Sequence, residues 1–311
     1  MEKLSFKISP LDHNQRIDKY LKKQLPNAPL NFIYRLFRLK DVRVNGVRIN
    51  EAYILKDQDE VTLFLTTAQK NDFIVPYDFH ASTLISPIVY EDDRILVINK
   101  IRGLLIHSDI NEQVETLTNQ VLTYLSKKNE FDVKERGYIP SPIGRIDKNT
   151  SGIVVFAKTL LVNQQLSQAL AKGEVERVYL ALIHGKVDTK GTLNYGLTKE
   201  ANGRGLVNVD DEGKESITKY KKLKEFDGYS YVEIKLETGR SNQIRVHFAH
   251  IGHPLVGDHK YGSHDGFSTL CLHHHKFQFL NLEGDLQYIS KLQFNAPLPS
   301  DIEQIIKEIE G

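Results

Sequence analysis

The apolar runs in this sequence are strand-length, and that limits its fold more than any other feature. Runs such as Ile95 to Ile98 and Gly152 to Ala157 fall far short of the roughly 18 residues a membrane-crossing helix needs. A 311-residue chain of this kind must bury its apolar surface by packing many short elements together. At roughly 100 to 200 residues per domain, two domains are expected. Cys271 is the single cysteine, so neither an internal disulfide nor a cysteine zinc site can hold the fold, and a reducing compartment is expected. The opening residues, Met-Glu-Lys-Leu-Ser-Phe-Lys, have no apolar core or small-residue cleavage site, so they do not read as a secretory signal and the cytoplasm is expected.

The net charge of +1 gives no hint of a nucleic-acid partner, but its distribution does. Between Asp12 and Asn50 stand Arg16, Lys19, Lys22, Lys23, Arg35, Arg38, Lys40, Arg43 and Arg48, against Asp12, Asp18 and Asp41 alone. A patch of that density suits a phosphate backbone, and a merely solvated basic face is the competing reading. The same stretch carries Ile17, Tyr20, Leu21 and Leu25, then Phe32, Ile33, Leu36 and Phe37, at helical spacing. Val42 to Ile49 then alternates around Asn45-Gly46, a strong hairpin signal, and a second strand is expected over Glu60 to Leu65. Residues 67 to 86 have mixed polarity, no sustained period and Pro76, and read as a linker.

From about Pro87 onward, strand and helix signals interleave without a repeat. Strands are expected at 88–99, 151–158, 175–185, 215–224 and 229–238, and helices at 114–127, 160–172, 242–251 and 301–310, the last opening with a Ser300 to Glu303 capping box. In the 229–238 strand Val232, Ile234 and Leu236 alternate with Tyr231, Glu233 and Lys235, so one face is buried. Amphipathic strands irregularly interleaved with helices indicate an α+β fold with a largely antiparallel sheet.

Three segments could carry chemistry. Pro142-Ile-Gly-Arg-Ile-Asp-Lys-Asn-Thr-Ser-Gly152 sets Arg145 and Asp147 in a loop running into an apolar strand. The neighbouring polar residues could bond the carboxylate and hold one rotamer, or Asp147 could be a turn residue with Arg145 as its surface partner. Tyr179 lies among apolar neighbours in Glu176 to Gly185, either as core or as a stacking platform. Glu237 to Gly262 passes from a strand through Gly239 and Arg240 into a short helix bearing Arg245. If Arg245 points inward it must meet a carboxylate or phosphate. His273, His274 and His275 invite a metal reading, but alternating strand faces and the absence of a suitably spaced carboxylate argue for no metal. Gly203-Arg-Gly205 lacks a third glycine and a strand-to-helix setting, so no nucleotide cofactor is indicated.

Residues 1–66, with Ile33-Tyr34-Arg35 and Asp41-Val-Arg-Val-Asn-Gly46, resemble the S-four-like RNA-binding domain named after a ribosomal protein. The three later segments, in this order and spacing, resemble the RluA family of pseudouridine synthases, most closely its large-subunit ribosomal RNA enzymes. Tyr90 to Lys100 with Gly103 and His107, and Leu272 to Phe279 before Ala296-Pro-Leu-Pro299, agree with it. The resemblance implies an S-four-like domain over 1–66, a linker over 67–86, and a catalytic domain over 87–311 whose mostly antiparallel mixed sheet is flanked by helices. It implies an isomerase that flips a uridine from folded RNA and converts it to pseudouridine without consuming a cofactor. Asp147 is the implied nucleophile, with Tyr179 stacking on the uracil and Arg245 paired with Asp147. Arg145 is associated with base flipping, and Arg35, Arg38, Arg43 and Arg240 are the implied RNA contacts.

Ribosomal RNA is the expected partner, no membrane is expected, and a monomer is expected. Gly144, Asn242, Ile101 and Arg177 depart from the family's usual His, His, Pro and Lys, which bears on loop geometry and target more than on the reaction. The rival readings are a synthase acting on transfer RNA, a non-catalytic RNA-binding protein on the same scaffold, and a carboxylate hydrolase. The hydrolase would need a second carboxylate near Asp147, which no motif supplies.

Overall fold

The N-terminal helical spacings and the Asn-Gly pair fold as their periodicity dictates. In the computed structural model, which describes residues 2–8, 12–74, 80–109, 112–132, 138–200 and 206–310, the first elements are β1 (Glu2–Lys7), α1 (Ile17–Gln24), α2 (Leu30–Leu39), β2 (Val42–Val44), β3 (Val47–Arg48) and β4 (Glu60–Leu65). The four strands form an antiparallel sheet ordered β1-β4-β2-β3. Both helices cover it, and Ile17, Leu21, Ile33, Leu36, Val42, Val61 and Leu63 make its core. Asn45 (φ 51°) and Gly46 (φ 78°) are both left-handed, as a two-residue hairpin turn with native twist requires. β1 had no sequence signal, because only Leu4 and Phe6 are apolar in this edge strand.

The expected linker does not begin at residue 67. Thr67–Phe73 forms α3, started by a capping box in which Thr66 Oγ1 accepts from the Gln69 N–H (3.2 Å) and Gln69 Oε1 accepts from the Thr66 N–H (3.0 Å). Lys70 donates to Glu2 (2.6 Å) and Phe73 packs on Phe32 (4.5 Å between rings), tying this helix to the N-terminal core. None of its residues is fully buried, so no apolar period announced it. Pro76 and residues 203–205 lie outside the described residues.

The remaining elements are β5 (Ile88–Glu91), β6 (Ile95–Lys100), α4 (Leu117–Lys127), β7 (Ser141–Ile143), β8 (Ser151–Ala157), α5 (Leu160–Ala171), β9 (Val175–His184), β10 (Lys190–Lys199), β11 (Val207–Val209), β12 (Lys214–Phe226), β13 (Tyr229–Leu236), α6 (Gln243–His250), β14 (Leu272–Phe279), a 3₁₀ helix (Gly284–Lys291), β15 (Phe294–Asn295) and α7 (Ser300–Glu310). They build one large sheet ordered β11-β10-β12-β13-β9-β14-β8-β6-β5, with β7 beside β8 and β15 beside β14. Among the described pairings between strands only β14 with β8 is parallel, so the mostly antiparallel α+β architecture expected from the sequence is what forms. Strand 88–99 is two strands, because the Asp92 carboxylate accepts from the Arg94 and Ile95 N–H groups (2.8 Å each) and closes a turn. The Ser300 box does not form either; the Ile302 and Glu303 N–H groups donate to the Pro299 carbonyl (3.1 Å each).

The sheet has a core under α5 with the 3₁₀ helix, another under α4, and a third under α6. β8, β14 and β9 are adjacent, which brings the loop before β8, the start of β9 and the turn between β13 and α6 to one place. Close approach of β8 to β14 depends on Gly152: at φ +114°, an added Cβ would lie 2.2 Å from the His274 carbonyl oxygen. Among the described residues no helix is long and apolar enough to cross a membrane.

Candidate active site

At that junction lies a cavity of about 730 Å³ lined by Arg145, Asp147, Arg177, Tyr179, Arg240 and Arg245, among others. Arg245 enters from the first turns of α6, where the turn is set by Gln243. That buried amide accepts from the Arg240 N–H (2.9 Å) and the Thr238 hydroxyl (2.9 Å) and donates to the Ile217 carbonyl (3.0 Å). The Arg245 side chain is 11% exposed and does point inward. Its Nη1 donates to Asp147 Oδ2 (3.1 Å), while Nε and Nη2 form a two-pronged pair with Asp258 (2.7 Å each). The guanidinium also lies 5.0 Å from the centre of the Tyr261 ring. Desolvation works against its charge, but Asp258 first and then Asp147 outweigh that cost and raise its pKa. A guanidinium held on three sides presents one fixed N–H to the Asp147 carboxylate, whose side chain stays 34% exposed toward the cavity.

The Asp147 loop is anchored through its backbone. Thr150 N–H donates to the Asp147 carbonyl (3.1 Å), and the next carbonyl, Lys148, accepts from Gly103 N–H (2.9 Å) and from Lys100 Nζ (2.9 Å). Lys100 is 0% exposed and also donates to the Ile101 and Leu104 carbonyls (3.0 and 2.9 Å). Burial pushes its pKa down to about 7, with the negative charge of Asp147 opposing the shift. The polar residues after Asp147 do not hold its carboxylate: the hydrogen bond given to it comes from Arg245, and Ser151 instead bonds His273 Nδ1 (2.8 Å). Nor is Arg145 its surface partner; Arg145 is exposed and makes no ion pair among the described residues.

Tyr179 is 6% exposed and packs flat on His274, with rings 4.3 Å apart and 9° from parallel. Tyr179 is thus packed as core, with one face of its ring covered by His274. Burial raises its phenol to about 12, so it stays protonated at neutral pH. His274 Nδ1 bonds the Ile153 carbonyl (2.7 Å), and burial lowers its pKa to about 3, so Tyr179 rests on a neutral ring. His273 and His275 both reach the Ala296 carbonyl (3.2 and 2.7 Å) across a bulge in β14. Among the described residues no group of three or more His, Cys, Asp or Glu could hold a metal ion.

A model of the RNA pseudouridylate synthase family matches residues 94–250, which contain the Asp147 loop, Tyr179 and Arg245. The chain belongs to that family. It is 31% identical over 97% of its length to a protein of Salmonella typhimurium named ribosomal large subunit pseudouridine synthase D, covering 93% of it. It is 30% identical over 99% of its length to an uncharacterized RNA pseudouridine synthase, YlyB, of Bacillus subtilis, covering 99% of it. Its fold is similar to the human RNA pseudouridylate synthase domain containing 4, at TM-score 0.58 and 20% identity over 71% of this chain and 92% of that one. This is therefore an RNA pseudouridine synthase, an isomerase.

Two departures from the family pattern have local causes in this synthase. Gly144 is left-handed (φ +76°), where a side chain would be strained. Asn242 is also left-handed (φ 55°), and its amide bridges Arg245 Nη1 (3.2 Å) and the Tyr261 hydroxyl (2.9 Å). Asp258, Tyr261, Gln243, Lys100 and His274 were given no role by sequence reasoning. All stood in quoted stretches, and only their tertiary approach gives them partners. Asp258 is a second carboxylate on the guanidinium that Asp147 meets, and no motif announced it. It is 1% exposed on the far side of the guanidinium and committed to it, so the pair does not flank an open reaction centre.

The structure does not bring Arg35, Arg38 and Arg43 to this cavity; they belong to α2 and β2 of the N-terminal unit. Arg35 and Arg38 are exposed one turn apart, and Arg35 covers the Phe32 ring at 4.9 Å. Arg43 lies over Phe64 at 5.2 Å and faces Arg48 directly across the β2–β3 pair. Arg16 is neutralised by Asp18 (2.9 and 3.1 Å), but Arg35, Arg38, Arg43 and Arg48 make no ion pair among the described residues. Arg240 stands exposed at the cavity rim, its Nε on the Glu215 carbonyl (3.2 Å).

Proposed function

We propose that this synthase isomerises specific uridines of large-subunit ribosomal RNA, with Asp147 as its nucleophile. The observation that carries the reading is the 3.1 Å contact between Asp147 and a guanidinium fixed from behind by Asp258, beside Tyr179 in a cavity wide enough for a flipped base. An attacking carboxylate gains from being held in one orientation before substrate arrives, because no reorganisation is then needed at the moment of reaction. The carboxylate bonds covalently to the nucleotide and is released again. The bond from ribose to the base nitrogen breaks, a bond from ribose to carbon five forms, the nitrogen gains a proton, and the proton on carbon five goes to solvent.

Flipping the base costs a few kcal/mol, which contacts to the backbone and stacking offset. Arg145 and Arg240 at the rim, and Tyr179 within, are suited to those contacts. Residues 1–66 act as an S-four-like RNA-binding domain through Arg35, Arg38 and Arg43, with residues 87–311 as the catalytic domain. The enzyme works as a monomer in the cytoplasm. The names of relatives such as the Salmonella typhimurium protein support the ribosomal target. Pseudouridine mapping in cells lacking the gene tests it: defined positions of large-subunit ribosomal RNA are expected to revert to uridine and return on complementation. Loss confined to transfer RNA, or an unchanged map, overturns the assignment.

A further inference from the structure

Arg177, on the cavity side of β9 two residues before Tyr179, is a half-buried cation without an ion-pair partner among the described residues. Its Nη2 reaches only the Leu236 and Glu237 carbonyls, at 3.4 and 3.5 Å, the outer limit of a hydrogen bond. Its Nε is buried with no partner, and no carboxylate lies within ion-pair distance among the described residues. The acids that share the cavity wall are already engaged: Asp147 with Arg245 and Glu237 with Lys219. Gly239 lies against the guanidinium, and an added Cβ there would lie 2.4 Å from Arg177 Nη1 and push it aside. A charged group taken out of water and left unpaired is costly. Such a group is suited to a counter-ion that arrives from outside.

Uracil and ribose are neutral at physiological pH, so the anion that an RNA substrate brings is its phosphodiester. Resting on the reading of this cavity as the uridine site, we propose that Arg177 binds a phosphodiester flanking the flipped uridine, through N–H groups of its two Nη atoms at the cavity end of the guanidinium. Two parallel N–H groups match two phosphate oxygens, which a lysine ammonium does not do. Arg177 is thus a substrate-binding residue that works alongside the Asp147, Tyr179 and Arg245 group.

The test uses the full-length enzyme and a large-subunit ribosomal RNA transcript carrying tritium at carbon five of uridine. Arg177→Gln is expected to raise KM at least tenfold while kcat stays within about threefold, with Arg177→Lys intermediate. The dependence of log KM on log salt should flatten by about 0.7 to 0.9, the slope of one phosphate contact. Removal of a half-buried charge with no ion-pair partner should leave the Tm of Arg177→Gln no lower than wild type, whereas a structural arginine would lose stability. An unchanged KM and salt slope, or a fall confined to kcat and Tm, overturns the proposal.

A second arm needs no turnover. In enzyme labelled with ¹⁵N-arginine, the Arg177 Nε–H resonance should move with uridine 5′-monophosphate or 3′-monophosphate and stay in place with uridine, and the nucleotide that moves it more tells which flanking phosphate is bound. A resonance unmoved by either nucleotide, or moved equally by uridine, contradicts the proposal. Wild-type enzyme that releases no tritium yet shows the nucleotide shift would sink the catalytic reading and leave the phosphate site standing.

Discussion

Asp258 is the residue whose removal most sharply separates this account from one in which Arg245 alone orients Asp147. Asp258→Ala takes away both 2.7 Å bonds that fix the guanidinium from behind and leaves a side chain only 11% exposed with Asp147 as its one anion. Breaking a buried pair by deleting one partner costs about 3–5 kcal/mol. Because Asp147 still shares the charge, the lower end, about 3 kcal/mol, is expected. At roughly 2–4 °C per kcal/mol for a domain of this size, that is a fall in Tm of about 6–12 °C. Asp258→Asn keeps the shape and one acceptor, so it should lose less stability. Both variants should lose kcat at least tenfold, about 1.4 kcal/mol, because the N–H offered to Asp147 is no longer aimed. Thermal unfolding and tritium release are the assays. A Tm within about 1 °C of wild type with an undiminished kcat would refute the reasoning, since it would mean that the guanidinium needs no rear support.

Three further outcomes follow from the same geometry. Lys100 titrates in the folded enzyme at about 7 against 10.5 for an ordinary lysine. The unfolded chain therefore binds the extra proton between those values and the group's contribution to stability rises with pH across that window. Asp147→Asn removes the charge that holds this pKa up, so ¹⁵N-lysine NMR should show the Lys100 midpoint move lower still; a midpoint near 10.5 would contradict the burial argument. His247, His273 and His274 are buried neutral, their pKa values pushed down by desolvation to about 4, 4 and 3. Each depressed histidine contributes stability that is present above the ordinary value near 6.5 and lost as pH falls toward its folded pKa, at ~3 kcal/mol for His247 and His273 and ~5 kcal/mol for His274. Urea unfolding between pH 6.5 and 4 should show that loss, and a flat profile would exclude it. Arg35→Ala with Arg38→Ala should weaken RNA binding and reduce its salt slope by one to two charges without lowering Tm. An unchanged slope would remove the N-terminal patch from the RNA interface.

Much of this site was readable before any coordinates because its chemistry is local in sequence. The Asp147 loop ends in a glycine that only glycine can fill, and Arg245 follows a glycine turn at helical spacing. An inward arginine demands an anion, and it found Asp147 at 3.1 Å. The demand could not reveal that a second anion, Asp258, meets the same guanidinium, because the residues from 251 onward form a loop with no period to place one side chain against another. Tyr179 was ambiguous for a similar reason: its partner His274 sits on a strand 95 residues later, in a polar run without alternation. Whole elements were missed where side chains carry little signal. β10 contains Gly191 and Gly196, the latter pressed against the Asp210 carbonyl, and its apolar residues are sparse. α3 buries no residue completely, and its start was encoded in the Thr66–Gln69 capping box. The reverse error at Ser300 shows that a capping pattern alone does not choose the cap, since Pro299 supplies the acceptor there.

The most direct measurement is tritium release from RNA labelled at carbon five of uridine, comparing wild type with Asp147→Asn alongside RNA affinity. Loss of all release with affinity within about tenfold, or roughly 1.4 kcal/mol, is the predicted result. Release by Asp147→Asn at a rate comparable to wild type would show that another group makes the covalent bond.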